Sequence, residues 1–355
     1  LAISQMPNRP TSLAQVNPGA WSGLGVGVIA IGTITRNGSG YIANYKLVDV
    51  YGSSGIPGSI IAQDSVSFSS LANINSVALK ISNDIFDKLV SNSNPFSAKL
   101  TYVVYNPVNI NSYSLYLAAY DGSNSKIIYE SSNPIMFPHL VGNNLYFVTL
   151  IGTKSYIMLK NIVSQTERTV YKTNGTINGL TISNNNKTII FSGTLENFNS
   201  NLFKINLLSG ALSQLTFNNS GDIISPAFSA DNSYIYYTYI NSTLTPILEK
   251  VSISNLQNKV MITRNSNSAA SGAGRYVYFS KNKILSRLNL SIDSSRVLST
   301  RNALYPTVTS GGLMIVYISR NGNSNSLRLM SSNGYARVNL FTFNNSTIEF
   351  PSFSR

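Results

Sequence analysis

The sequence predicts a mainly β fold, a six-bladed β-propeller of four-stranded blades preceded by a small α+β domain. Three observations carry the prediction. Beyond about residue 95 no segment has helical periodicity, and short alternating strands are separated by Asn/Ser/Gly turns. A strand–turn–strand unit recurs at FPHLVGNNLYFVTL (137–150), LTISNNNKTIIFSG (180–193), SPAFSADNSYIYYT (225–238) and YPTVTSGGLMIVYI (305–318), with a degraded copy at AASGAGRYVYFS (269–280). The chain then closes on FPSFS (350–354), a sixth opening strand with nothing after it to complete a blade.

The first domain, residues 1–94, reads differently from the rest. Asn17 and Pro18 suit the N-cap and first position of a short helix in NPGAWSGLG. VGVIAIGTIT and YIANYKLVDV read as strands joined by RNGSG, an Asn-Gly hairpin signal, and SIIAQDSVSF alternates as a third strand. In SLANINSVALKISNDIFDKLVSN, Leu71, Ile74, Val77, Ala78, Ile81, Ile85 and Leu89 recur at helical spacing, with Asn92 and Asn94 as the stop.

Residues 95–355 form the second domain, the propeller. Its strand-start anchors are Pro138, Leu180, Pro226, Ala270, Pro306 and Pro351, separated by 42, 46, 44, 36 and 45 residues. That is roughly the length of one four-stranded blade, about 40–45 residues. Each unit continues as strand A, turn, strand B, loop, strand C, turn, strand D. The strands missing after FPSFS are supplied by LTYVVYN (100–106), SLYLAAYDG and SKIIYES, so both ends of the repeat share one blade and close the ring. Closure pairs edges that would otherwise template aggregation. The Tyr and Ile of the B strands are then packing between blades.

Composition narrows the function. Hydrophobic residues make up 43% and charged residues 11%, and abundant Asn and Ser make the surface neutral-polar. There is no cysteine, which removes disulfides, thiolate metal sites and Cys nucleophiles. No run approaches the length of a membrane-spanning helix. The opening LAISQMPNRP lacks the basic head and apolar stretch of an export signal, leaving a cytosolic, already processed or truncated chain. The net charge of +13 is spread over single cations with no Lys/Arg run, which suits acidic partners or anionic envelope polymers better than nucleic acid.

Enzymatic signatures are weak. GLGVGV (23–28) follows a helix and opens a strand, the reverse of a dinucleotide loop. His139, the one histidine, lies inside an A strand, where a structural role fits better than a triad, and no G-x-S-x-G accompanies it. One His and no Cys exclude a nitrogen–sulfur metal site, and no cofactor is expected. The carboxylates are few and dispersed, and Asp231 suits its turn. A propeller hydrolase using channel carboxylates on glycan or peptide is the competing class, and an anionic-polymer binder the third.

The connections from strand D to the next strand A converge on one face of a propeller: SSNPIM, KTNGTIN, NNSGDIIS, RNSNSA, TRNALY and NNSTIE. They supply the candidate protein-binding residues Ile135, Met136, Thr176, Ile177, Asn178, Gly179, Asp222, Ile223, Ile224, Ser225, Ser268, Ala269, Ala303, Leu304, Tyr305, Ile348 and Glu349. Ile177, Ile223, Ile224 and Tyr305 would form an apolar centre, with Asp222 and Glu349 for charged hydrogen bonds. The alternative is that these apolar side chains tuck beneath the loops as blade packing.

At this point the chain resembles the TolB family, periplasmic propellers of the Tol–Pal envelope system. NPGAWSGLGVGVIAIGTITRNGSGYIANYKLVDV, SIIAQDSVSF and SNDIFDKLV match its N-terminal domain. LTYVVYN, LYLAAYDGSN, SNPIM and SPAFSADNSYIYYTY match its blades, and LRLMSSNGYARVNL followed by EFPSFS its characteristic end. The resemblance implies a monomeric, non-enzymatic periplasmic scaffold serving outer-membrane integrity and constriction at division. Its D-to-A face would bind the peptidoglycan-associated lipoprotein Pal and be open to some colicins and to other outer-membrane proteins. It also implies that TolA is contacted by an N-terminal segment outside this chain, and that the small domain lacks its first strand and helix. Within the matched loops, better-known members carry His where this chain has Thr176, and end in Thr-Glu where it has Ile224 and Ser225.

Overall fold

A computed structural model describes residues 6–354 except 54, 91–93, 109–111, 184, 196–198, 218–219, 267–270, 274 and 300–301. The chain divides into two compact units, Leu1–Phe96 and Ser97–Arg355.

In the first unit, β1 (Val28–Asn37), β2 (Gly40–Asp49) and β3 (Ser59–Phe68) form an antiparallel sheet in that order. Asn37 pairs with Gly40, so the two-residue turn is Gly38-Ser39 rather than Asn-Gly, with Gly38 at φ +58°. The short helix α1 (Pro18–Ser22) is capped by Asn17, whose side chain accepts from the Ala20 N–H. Its Trp21 packs on Ile29, Ile31, Val48 and Val50. Helix α2 (Ile74–Leu89) rests Val77 and Ile81 on Ala43, Val66 and Phe68. It ends at Leu89, with Val90 already extended; of the predicted asparagine stop, Asn92 lies outside the described residues. The strand face and the helix also border an apolar groove of about 490 Å³, lined by Ile34, Ile74 and Ile85 among others.

The second unit holds six four-stranded antiparallel sheets. Blade 1 joins the two ends of the repeat: strand A (Thr347–Phe353) pairs with strand B (Lys99–Tyr105), followed by Tyr113–Ala119 and Lys126–Ser131. The A strands of blades 2 to 6 are Ile135–Val141, Ile177–Ile182, Asp222–Phe228, Ser271–Ala273 and Ala303–Val308. Each A strand touches the A strand of the next blade around a complete circuit, so they line the centre and the ring is closed.

The B strands explain the aromatic excess. Successive strand residues point to opposite faces, and in YIYYTYI both faces are covered. Tyr237 packs with Ile190 and Leu202 of blade 3, while its neighbour Tyr236 packs with Val277 and Phe279 of blade 5. A blade buried on both sides needs apolar residues at every position, not at every second one.

The anchors fall inside the A strands rather than at their starts. Pro138, Pro226, Pro306 and Pro351 each sit within a break in the A–B register, whereas Leu180 pairs with Phe191, past the break between Ile177 and Gly179. The missing ladder donor of proline is tolerated at such a bulge. Ala270 lies outside the described residues.

Candidate docking face

The A strands open alike, and three successive positions have three different fates. The first comprises Ile135, Ile177, Ile223, Ala303 and Ile348, each buried against the preceding blade. Ile177, for instance, packs with Tyr146 and Val148 of blade 2, and Ile348 with Val316 and Ile318 of blade 6. The proposed apolar centre is corrected here: Ile223 is 1% exposed and Ile177 4%. These side chains are blade packing, because strand geometry turns them into the gap between sheets.

The second position comprises Met136, Asn178, Ile224, Leu304 and Glu349, all half-buried. The residues just before the first position include Thr176 and Asp222, both exposed. These accessible side chains are what a partner could touch at this end. Ser268 and Ala269 lie outside the described residues.

The third position comprises Phe137, Gly179, Ser225, Tyr305 and Phe350, and at all but Gly179, which pairs with Ser192, the strand bulges here. Phe137, Ser225, Tyr305 and Phe350 have φ of 50°, 53°, 49° and 51°, a region that bulky side chains rarely adopt. The bulge re-aims them toward the axis. Phe137 and Tyr305 both pack on Phe350, with ring centroids 4.5 and 5.5 Å apart. Equivalent residues meeting side by side means that the A strands run parallel, so the D-to-A connections gather at one end. The collar borders a narrow channel of about 90 Å³. Burial, and secondarily the Glu349 charge, raises the Tyr305 phenol above its usual pKa.

The two carboxylates are already engaged. Arg320 Nη2 lies 2.7 Å from Glu349 Oε1, and Asp222 Oδ1 accepts from the Ser200 N–H at 3.2 Å. His139 faces the channel from strand A of blade 2, and no Asp or Glu joins it among the described channel-lining residues. Among the described residues no group of three His, Asp or Glu could hold a metal ion. The sequence reading missed Phe137, Phe350 and Arg320. The signal for the first two was present in the repeat itself, an aromatic directly before proline in Phe137-Pro138, Tyr305-Pro306 and Phe350-Pro351.

Residues 86–355 match the family described as the TolB beta propeller domain, and residues 1–56 the TolB amino-terminal domain. The chain is 36% identical over 172 residues to the Tol-Pal system protein TolB of Haemophilus influenzae, a match covering 48% of this chain and 40% of that protein. The match to the Mannheimia succiniciproducens protein of the same name has the same identity and extent. The matched stretch is thus well under two thirds of these relatives' length. Among solved structures, TolB from Acinetobacter baumannii is similar in fold, with a TM-score of 0.80 at 19% identity, covering 100% of this chain and 89% of that one.

Proposed function

The chain belongs to the TolB β-propeller family, and from that membership we propose that it is a non-enzymatic scaffold of the Tol–Pal system, working in the periplasm, whose D-to-A face docks Pal. One observation supports the face above all. Met136, Ile224 and Leu304 are half-buried apolar side chains at equivalent positions of three A strands, ringed by exposed Thr176 and Asp222. An apolar centre with a polar rim suits a protein partner. It is built from the second position of these three strands, not the first. The relatives that this chain resembles in sequence are named as Tol-Pal system proteins, and the described channel-lining residues include no carboxylate pair of the kind the hydrolase alternative needs.

The test is calorimetric titration of this chain with the soluble domain of its cognate Pal, at low and moderate salt. Binding should be saturable, one-to-one and largely retained at moderate salt. Ile224→Arg, on the accessible side of its strand, should cost about 2 kcal/mol or more, roughly thirtyfold in Kd. An Ile224→Arg variant that folds and binds Pal normally would overturn the proposed face.

A further inference from the structure

The charge of this protein is not evenly distributed. Residues 250–348 contain twelve Lys or Arg and one carboxylate, Asp293, which is +11 of the chain's +13. This stretch runs from the end of blade 4 through blades 5 and 6. In sequence its cations stand singly; the fold assembles several of them at one seam.

In blade 5, strand C (Ile284–Asn289) carries Arg287 and strand D (Ser294–Val297) carries Arg296, paired in register. Arg275 lies in the A–B turn, where its carbonyl accepts from the Leu290 N–H of the C–D turn. The guanidinium of Arg287 stands 4.3 Å from the Tyr276 ring centroid, and that of Arg275 lies 5.8 Å from the same centroid. Blade 6 completes the cluster. Arg287 donates to the Ser332 carbonyl, Arg337 donates to the Leu298 carbonyl, and Arg296 lies 5.3 Å from the Tyr335 ring centroid. Neither ion pair found among the described residues involves any of these four arginines.

Exposed apolar side chains lie beside the charge. Tyr335 is 78% exposed and Ile292, in the C–D turn of blade 5, is 70% exposed. Guanidinium groups with no carboxylate partner among the described residues, next to exposed aromatic and aliphatic groups, fit a surface that offers phosphate first and hydrocarbon just beneath it. A soluble polyanion would satisfy the arginines and leave Tyr335 and Ile292 in water. We propose that the blade 5–blade 6 seam, built on Arg275, Arg287, Arg296 and Arg337 with Tyr335 and Ile292, is a peripheral docking site for an anionic phospholipid surface. Antiparallel strands place A–B and C–D turns at the end opposite the D-to-A connections. Membrane docking at the seam therefore leaves the other face free, and the inference does not rest on the Pal reading.

The experiment is flotation of the 355-residue chain with vesicles of phosphatidylglycerol and phosphatidylcholine, against phosphatidylcholine alone. Binding should require the anionic lipid and weaken with salt. At about 1 kcal/mol per cation at the surface, Arg275→Glu/Arg296→Glu should lower partitioning by at least about tenfold. A charge-matched Lys154→Glu/Lys187→Glu variant, altered in blades 2 and 3, should change it by less than about threefold. Tyr335→Ser should weaken binding severalfold without changing its salt dependence. Thermal melts establish that each variant is folded. Equal losses in the two double variants would mean diffuse attraction and overturn the site. Failure of the wild-type chain to float would overturn it too, including where an acidic polysaccharide binds instead.

Discussion

His139 Nε2 lies 2.8 Å from the carbonyl oxygen of Leu180, a contact between the innermost strands of blades 2 and 3. A carbonyl only accepts, so Nε2 carries the proton. In the neutral ring Nδ1 then accepts from the Ser352 hydroxyl of blade 1, 3.1 Å away. The one histidine thus ties three blades together at the axis. His139→Ala should destabilise the propeller by about 1–3 kcal/mol, the cost of stranding buried polar partners. Ser352→Ala should cost less, and the double variant less than the sum. Urea denaturation measures all three, and simple additivity would mean that the network is not coupled.

Gly179 belongs to the docking-face candidates, yet its geometry assigns it to packing. A Cβ there would stand 2.4 Å from Pro226 Cδ and 2.7 Å from the Ser225 nitrogen, in the adjoining A strand. Gly179→Ala must push two inner strands apart, which we expect to cost about 1–3 kcal/mol. A melting temperature equal to the wild type would contradict so close an approach.

Ile223 and Ile224 are adjacent and should behave oppositely. Ile223 is enclosed with Leu202 and Phe228, so Ile223→Ala should cost about 2–5 kcal/mol in stability. Ile224 is half-buried, and Ile224→Ala should cost well under half as much while weakening Pal binding. Parallel melts and titrations of the two variants separate the roles, and matching profiles would refute the alternation assigned to this strand.

Asp231 gives a pH dependence. Its carboxylate accepts from the Ser229 and Ser233 hydroxyls and the Ser233 N–H, which hold its pKa down at about 2 from an ordinary 3.8. A depressed folded-state pKa contributes stability above the unfolded value that is lost as pH falls through the folded one. The wild type should therefore exceed Asp231→Asn in stability above about pH 4. The difference should close between about pH 4 and pH 2. Melts across that window check it, and a constant difference would remove the carboxylate from the account.

By itself the sequence determined what depends on local pattern. The repeat period and the four-strand unit were legible because alternation and turn chemistry act over a few neighbouring residues, and counting the units then gave the shared first blade. Resemblance in NPGAWSGLG through EFPSFS added the family. Tertiary structure alone decided which loop-end isoleucines are available. Ile223 and Ile224 look alike as a pair, and only the position of blade 3 buries one of them. It also decided that Glu349 is held by Arg320, 29 residues away in sequence. Finally, it gathered Arg275, Arg287, Arg296 and Arg337 at one seam from positions that read as scattered. Charge and burial depend on distances in space, and those are set by how the blades close around the axis.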